Sequence, residues 1–333
     1  MTGSTFIRLG DHRHLAPDLR GGVVAIGNFD GVHRGHRAVL QKALDEARRH
    51  GCPALALTFE PHPRTVFRPA DPVFRLTPAP VKARLLDLMG FDAVVEQPFS
   101  QSFAQNSAED FITGILDGGL GVAHAVTGFN FHFGRNREGG PDYLRQSGER
   151  HGFDVTLVDA LRDGDGEIVS SSRIRAALEA GDLEAASALL GYRYTVEAEV
   201  VRGKALGRTI GYPTANMRLE PSNHLAHGIY AVRFRRADGS LYDGVASFGR
   251  RPTVDEAGEA LLETYLFDVS PDLYGEVASV SLFARLRGEE KFDSLDALVV
   301  QMKQDEAQAR AVLAEAAPLS DLDRALTFAG GAP

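Results

Sequence analysis

Ten residues constrain this chain more than any other feature: Gly27–His36, with the sequence GNFDGVHRGH. They follow a short apolar segment, Val23–Ile26, and lead into His36–His50, where apolar residues recur at helical spacing. Glycines within the run let the backbone turn tightly and approach a ligand closely. The start of a helix presents unpaired N–H groups and partial positive charge, which favour an anion. The run therefore predicts a strand, a phosphate-binding turn and a helix.

Two histidines dominate the chemistry of this turn. His33 and His36 are three residues apart, so both side chains are expected to reach one phosphate. The simpler interpretation is a tight turn with two solvated histidines. A zinc pair is a further alternative, but the chain has one cysteine and no H-E-x-x-H sequence to support it. The run matches neither the dinucleotide G-x-G-x-x-G pattern nor a Walker A loop.

The other candidate phosphate-binding residues of the turn surround the histidines. They are Gly27, Asn28, Phe29, Asp30 and Gly35. The Asp30 carboxylate has two equally supported interpretations, a role at the phosphate or a hydrogen-bond acceptor that fixes the loop.

The first half of the chain alternates strand-like and helix-like segments. Predicted strands continue at Ala54–Phe59, Ala93–Val95, Ala123–Thr127 and Phe153–Val158. Predicted helices cover Pro78–Met89, a segment capped by Ser107 with Asp110 at the capping-box position, Ser172–Leu178 and Leu183–Leu190. Such alternation predicts an α/β, Rossmann-like domain, in which helices cover both faces of a parallel sheet.

The pattern changes near Gly191 to a succession of β segments. The predicted strands are Tyr194–Val201, Ile229–Phe234, Leu241–Ser247, Leu261–Val269 and Val277–Ala284, and a helix follows at Asp296–Ala316. Five or six strands and a helix predict a small closed β-barrel with a C-terminal helix. A length of 333 residues suits two domains. We therefore expect one domain over residues 1–190 and a second over 191–333.

A second glycine-rich loop opens the predicted barrel. It is Gly203–Asn216, with the sequence GKALGRTIGYPTAN, and it lacks a Walker A pattern. The oxygens of Thr214 and Asn216 are two residues apart on an extended segment and therefore point the same way. They could hold one Mg²⁺ together with ATP, or the segment could be a turn with a polar face.

The first half resembles the nucleotidyltransferase superfamily, and more narrowly the N-terminal module of prokaryotic bifunctional riboflavin kinase/FMN adenylyltransferases. Besides the H-x-G-H run, three segments agree in order: Thr58–Pro63 (TFEPHP), Gly128–Gly134 (GFNFHFG) and Val169–Arg175 (VSSSRIR). The resemblance implies that the FMN phosphate attacks the α-phosphorus of ATP, while His33 and His36 contact the ATP phosphates and the developing charge.

The same resemblance implies roles for the other matched residues. Pro61, His62 and Asn130 belong to the flavin side. The residues near ATP are Ser170, Ser171, Ser172, Arg173 and Arg175. Ser171 or Ser172 could equally cap the helix that follows, and the two roles are compatible. Asn130 stands where many relatives have Asp, and Ser172 replaces the usual Thr.

The second half resembles riboflavin kinases through the G-x-x-x-G-R-x-I-G-Y-P-T-A-N signature. This implies ATP binding by Gly203, Lys204, Gly207 and Arg208. The family's catalytic glutamate corresponds to Glu263 in Leu262–Tyr265. It would accept the proton of the ribityl hydroxyl that attacks the γ-phosphate. Without the resemblance, Glu263 is one outward carboxylate on an alternating strand.

The combined resemblance predicts an enzyme that makes FMN from riboflavin and FAD from FMN, with ATP as co-substrate and Mg²⁺ as cofactor. Three alternatives are a single-activity enzyme with one module kept for binding or regulation, a nucleotidyltransferase with another acceptor, and an oligonucleotide-binding barrel. Relatives with other acceptors lack the kinase-like half.

Composition and charge bear on partners and location. A net charge of −9 and the absence of tryptophan disfavour nucleic acid as a partner. We expect no disulfide, no signal peptide, no membrane span and a cytoplasmic location. Self-association cannot be read from the sequence.

Overall fold

The structure is a computed structural model that describes residues 6–203, 212–251 and 259–330. Its contacts divide the chain into two compact units between Ser170 and Ser171.

The first unit is built on a sheet of six parallel strands, in the order β1-β4-β3-β2-β5-β6. The strands are β1 (Ile7–Leu9), β2 (Val23–Ile26), β3 (Ala54–Glu60), β4 (Ala93–Pro98), β5 (His124–Gly128) and β6 (Asp154–Val158). After β2, the chain adds β3 and β4 on one side of that strand and then β5 and β6 on the other. Ligands of open α/β sheets bind at such a switch point, beyond the carboxyl ends of the strands. The H-x-G-H turn follows β2 and lies at this point.

Helices connect the strands. They are α1 (Arg34–His50), α2 (Pro63–Phe67), α3 (Ala79–Met89), α4 (Ala108–Asp110), which continues as a π-helix (Phe111–Leu120), and α5 (Pro141–His151). The capping box predicted at Ser107 and Asp110 is present, with both of its hydrogen bonds. One core cluster joins the inward residues of β2, β3 and β5 to the π-helix through Phe111, Ile112, Ile115 and Leu116.

The second unit contains a closed barrel with strand order β10-β11-β8-β7-β12-β9. Its strands are β7 (Thr195–Val201), β8 (Thr214–Arg218), β9 (Gly228–Arg235), β10 (Leu241–Arg251), β11 (Glu259–Leu266) and β12 (Val277–Arg287). Its helices are α6 (Ser171–Ala180), α7 (Leu183–Leu190), α8 (Leu295–Glu315) and α9 (Asp321–Thr327). The predicted barrel and C-terminal helix are confirmed. Sequence reasoning had recognised β8 only as an extended segment.

The division of contacts falls 20 residues before the boundary predicted at residue 190. Helices α6 and α7 account for the difference, because they pack with the barrel. Helix α7 contacts β12, and the backbone N–H of Ala226 donates to the carbonyl of Leu178 at 3.0 Å. The change from helical to strand periodicity in the sequence marks where the strands begin. It does not reveal whether a short helix before that point packs with the first or the second unit.

Candidate functional site

The loop between β2 and α1 has an unusual backbone. Phe29 and Val32 have positive φ angles of 47° and 37°, and both side chains are buried. A positive φ is strained for a β-branched residue such as Val32. Strain of this kind persists only where the surroundings determine the conformation, and it clusters at functional sites.

Asp30 holds this loop in place. Its Oδ1 accepts the backbone N–H groups of Leu76 and Thr77, each at 3.0 Å. The N–H of Gly31 donates to Oγ1 of the same Thr77 at 2.8 Å. The Asp30 side chain is buried. Of the two interpretations of Asp30, these contacts support the loop-fixing acceptor, and its role at the phosphate stays a prediction.

We expect Asp30→Ala to lower the free energy of unfolding by about 1–3 kcal/mol for each backbone donor that it leaves buried without an acceptor. Asp30→Asn keeps an oxygen at the same place and should cost much less. Urea unfolding of both variants, with amide exchange at Leu76 and Thr77, measures the difference. Equal losses in the two variants would show that the charge of Asp30 matters, and not its acceptor geometry.

The two histidines lie side by side at the start of α1. His33 is the N-cap residue, and its Nδ1 accepts the N–H of His36 at 3.1 Å. Their rings stack with centroids 3.6 Å apart, and Phe29 meets His36 edge-on at 5.5 Å. Because Nδ1 of His33 is an acceptor, a neutral His33 ring carries its proton on Nε2. The cap and the ring N–H donor of His33 therefore use different nitrogens.

The third position of H-x-G-H, Gly35, is tightly surrounded. A Cβ at Gly35 would lie 3.2 Å from the ring of His33 and 3.3 Å from the carbonyl oxygen of Val169. The carbonyl of Val169, the first residue of the VSSSRIR segment, thus lies beside the start of α1, and Ser170 follows it in the chain. The remaining candidates of this run, Ser171, Ser172, Arg173 and Arg175, are in the first turns of α6.

A buried charged network supports the loop from the end of β3. The ammonium of Lys82 donates to Thr58 Oγ1 at 2.8 Å and to Glu60 Oε1 at 3.0 Å. Arg75 donates to both oxygens of Glu60, at 2.9 and 2.8 Å. Thr58 Oγ1 donates in turn to the carbonyl of Asn28 at 3.1 Å. The network thereby ties β3 to the phosphate turn.

The surroundings of this network lower the pKa values of both Lys82 and Glu60. Burial lowers the pKa of Lys82, against the raising effect of the Glu60 carboxylate. Burial also acts to raise the pKa of Glu60, but the Arg75 hydrogen bond and the charges of Lys82 and Arg75 outweigh it and keep that pKa below its ordinary value.

A cavity of about 650 Å³ opens beside the turn. Gly27, Asn28, Phe29 and His36 line one side of it. Seven further phenylalanines contribute to the remaining wall: Phe59, Phe67, Phe99, Phe103, Phe111, Phe131 and Phe133. This volume and apolar character are typical of a site for a flat organic ligand.

The lining of the cavity shows which of the predicted flavin-side residues reach it. His62 and Asn130 line it, and Pro61 does not. Sequence reasoning missed three cations in the wall: Arg64, Arg135 and Arg137. Arg135 and Arg137 belong to the turn after Gly134, where the backbone of Arg137 has a φ of 61°.

In the second unit, β8 and β11 place the predicted kinase residues on one face. Asn216 lies directly opposite Glu263, and Thr214 lies opposite Tyr265. Directly opposed residues of an antiparallel pair project on the same side, with Cβ atoms about 4.5–5.5 Å apart. Tyr265 packs with Ala309 and Leu313 of α8, so this is the outer, helix-flanked face of the barrel. The structure therefore brings Thr214, Asn216 and Glu263 together.

The amide of Asn216 is suited to bind a cation. Its Nδ2 donates to the carbonyl of Thr214 at 3.1 Å. Its Oδ1 is buried and has no hydrogen-bond partner among residues 6–203, 212–251 and 259–330. A Cβ at Gly203 would come within 2.7 Å of that oxygen, so glycine at this position leaves room for the Asn216 amide. Lys204, Gly207 and Arg208 lie outside the described residues.

Comparison with known proteins covers both units. Residues 15–173 match the family model described as FAD synthetase, and residues 190–313 match the one described as riboflavin kinase. Among the described residues, no helix is long and apolar enough to cross a membrane.

Two curated relatives are similar over nearly the whole chain. The bifunctional riboflavin kinase/FMN adenylyltransferase of Pseudomonas fluorescens is 40% identical over 304 residues, which cover 91% of this chain and 97% of the relative. The protein of the same name from Escherichia coli (strain K12) is 40% identical over 301 residues, covering 90% and 96%. A crystal structure described as a macrolide-efflux protein from Streptococcus pneumoniae is also similar, with a TM-score of 0.79, 32% identity and coverage of 92% and 98%.

Proposed function

Because the chain belongs to the family of bifunctional riboflavin kinase/FMN adenylyltransferases, we propose that it makes FAD in two ATP-dependent steps. Riboflavin is phosphorylated to FMN, and FMN is adenylylated to FAD with release of pyrophosphate. One observation carries the proposal furthest: an aromatic cavity is lined on one side by the H-x-G-H turn. Such a site suits a ligand with a flat ring system and a phosphate. We assign the second step to residues 1–190 and the first to residues 191–333.

In the kinase step, Glu263 acts as the general base. It accepts the proton of the ribityl hydroxyl while that oxygen forms a bond to the γ-phosphorus. The bond from the γ-phosphorus to the β-bridging oxygen breaks, and ADP leaves. Thr214 and Asn216 would hold Mg²⁺, which neutralises phosphate charge when it is bound with ATP. The buried Oδ1 of Asn216 supports this assignment.

In the adenylyltransferase step, an FMN phosphate oxygen attacks the α-phosphorus of ATP, and pyrophosphate leaves. His33 and His36 donate hydrogen bonds to the phosphates and stabilise the charge that develops. The first turn of α1 adds its N–H groups. Asn130 and the phenylalanines orient the flavin. Ser170, Ser171, Ser172, Arg173 and Arg175 are assigned to ATP, and the dependence on ATP favours a cytoplasmic location.

The direct test is a time course with riboflavin, excess ATP and Mg²⁺, in which the flavins are resolved chromatographically. We expect FMN to appear first and FAD later, and supplied FMN to yield FAD without a lag. A chelator of Mg²⁺ should stop both steps. Accumulation of FMN alone would identify a single-activity kinase. The absence of both products with folded protein would refute the proposal.

A further inference from the structure

Three potential metal ligands meet at the end of α1 that is remote from the phosphate turn. Glu46 and His50 are one helical turn apart on α1, and His124 is the first residue of β5. One ligand atom of each residue lies within 4.8 Å of the other two. Helix α1 has 17 residues and so spans about 25 Å. The cluster therefore lies at the amino edge of the sheet, opposite the edge that carries the H-x-G-H turn.

His124 is prepared for ligation by its surroundings. It is 5% exposed, and its Nε2 forms a hydrogen bond of 2.8 Å with Thr156 Oγ1. Its Nδ1 is buried and finds no hydrogen-bond partner in the part of the chain that the structure describes. Histidines that bind metals commonly use one ring nitrogen for the metal and the other for a hydrogen bond that sets the ring orientation. His124 has this arrangement, because Nε2 makes the hydrogen bond and Nδ1 is the nitrogen left for a metal.

Glu46 supplies a buried carboxylate to the same place. Lys42 lies 2.7 Å from its Oε1, and Arg49 pairs with its Oε2. Nε2 of His50 is 3.8 Å from that second oxygen. Because the Arg49 side chain is 66% exposed, a bound cation can displace it into solvent at small cost. His50 is exposed at the last residue of the helix, so its ring can rotate toward a metal.

We propose that Glu46, His50 and His124 bind a divalent transition metal of the zinc class. Two imidazoles and one carboxylate suit zinc better than magnesium or calcium, which prefer oxygen ligands. Ligand atoms at about 2.0–2.1 Å from a tetrahedral zinc lie about 3.4 Å apart, so the cluster has to contract only slightly. Water completes the coordination. The metal links the end of α1 to β5 and has a structural role, separate from both proposed active sites.

The test uses the full-length protein after treatment with a chelator. Co²⁺, which replaces zinc and absorbs visible light when bound by nitrogen and oxygen ligands, is titrated in, and Zn²⁺ binding is measured by calorimetry. We expect one saturable site per chain and a thermal unfolding temperature that rises with metal concentration. His50→Ala should abolish this site. His14→Ala removes another exposed histidine of the same unit and should leave binding unchanged.

Two further variants separate a metal site from a network of ion pairs. Arg49→Ala removes the competing cation and should tighten metal binding. Thr156→Val removes the outer hydrogen bond and should weaken it about 10–100-fold. Absence of saturable binding, or binding that survives His50→Ala, as it would if the metal bound at His33 and His36, overturns the proposal. These readouts do not depend on flavin turnover, so the outcome is independent of the proposed function.

Discussion

Glu263→Gln should lower the rate of FMN formation from riboflavin by about two to four orders of magnitude, the usual contribution of a general base. The substitution keeps the shape of the side chain and its place opposite Asn216, but it removes the proton acceptor. Binding of riboflavin and ATP should change little, because the lost interaction develops in the transition state. The loss should therefore appear in kcat and not in KM.

Two controls accompany this variant. Supplied FMN should still be converted to FAD at the wild-type rate, because Glu263 is not among the residues assigned to the adenylyltransferase step. Glu199→Gln removes an exposed carboxylate from another barrel strand and should leave both steps unchanged. Riboflavin phosphorylation at the normal rate by Glu263→Gln would show that Glu263 is not the base.

His36→Ala should reduce FAD formation by about 10²–10³, the typical effect of losing one preorganised donor to developing charge. FMN should then accumulate, since we assign riboflavin phosphorylation to residues 191–333. His36 both lines the cavity and stacks on His33, so its removal also frees the neighbouring ring. Steady-state kinetics with FMN and with riboflavin, measured separately, check the prediction.

His33 needs a variant that separates its two roles. His33→Ala removes the donor and also the N-cap of α1, and loss of a cap costs about 0.5–2 kcal/mol of stability. His33→Asn removes the imidazole but keeps a side chain that caps helices well. We expect wild-type-like stability with a large loss of FAD formation in His33→Asn. If the His33 and His36 variants slow both reactions equally while folded, the assignment of two separate sites is wrong.

Some residues of the first site line the cavity, and others support it from behind. His36 and Asn130 line the cavity, whereas Asp30, Glu60 and Lys82 act behind it through hydrogen bonds to backbone and side chains. Changes in the second group should reach chemistry only through the geometry of the loop. For that reason Asp30 is probed by stability and amide exchange, and His36 by rates.

Much of the fold could be predicted from the sequence, because it follows from local physics. Helix α7 occupies the predicted residues Leu183–Leu190, and the capping box at Ser107 is present, since capping and helical periodicity depend on residues a few positions apart. The parallel sheet and the barrel followed from the change between helical and strand periods. The second-half motifs predicted a common site for Thr214, Asn216 and Glu263, and the pairing of β8 with β11 places these residues on one face.

Tertiary structure alone decided the rest, because it depends on residues that are far apart in the chain. The role of Asp30 is set by Leu76 and Thr77, 46 and 47 positions away. Helix α7 packs against β12, and α6 packs against α7, and helical periodicity does not identify either partner. His124 meets Glu46 and His50 only because β5 pairs with β2 and α1 packs on both strands. Local spacing determined the elements and the motifs, and packing determined which side chains meet.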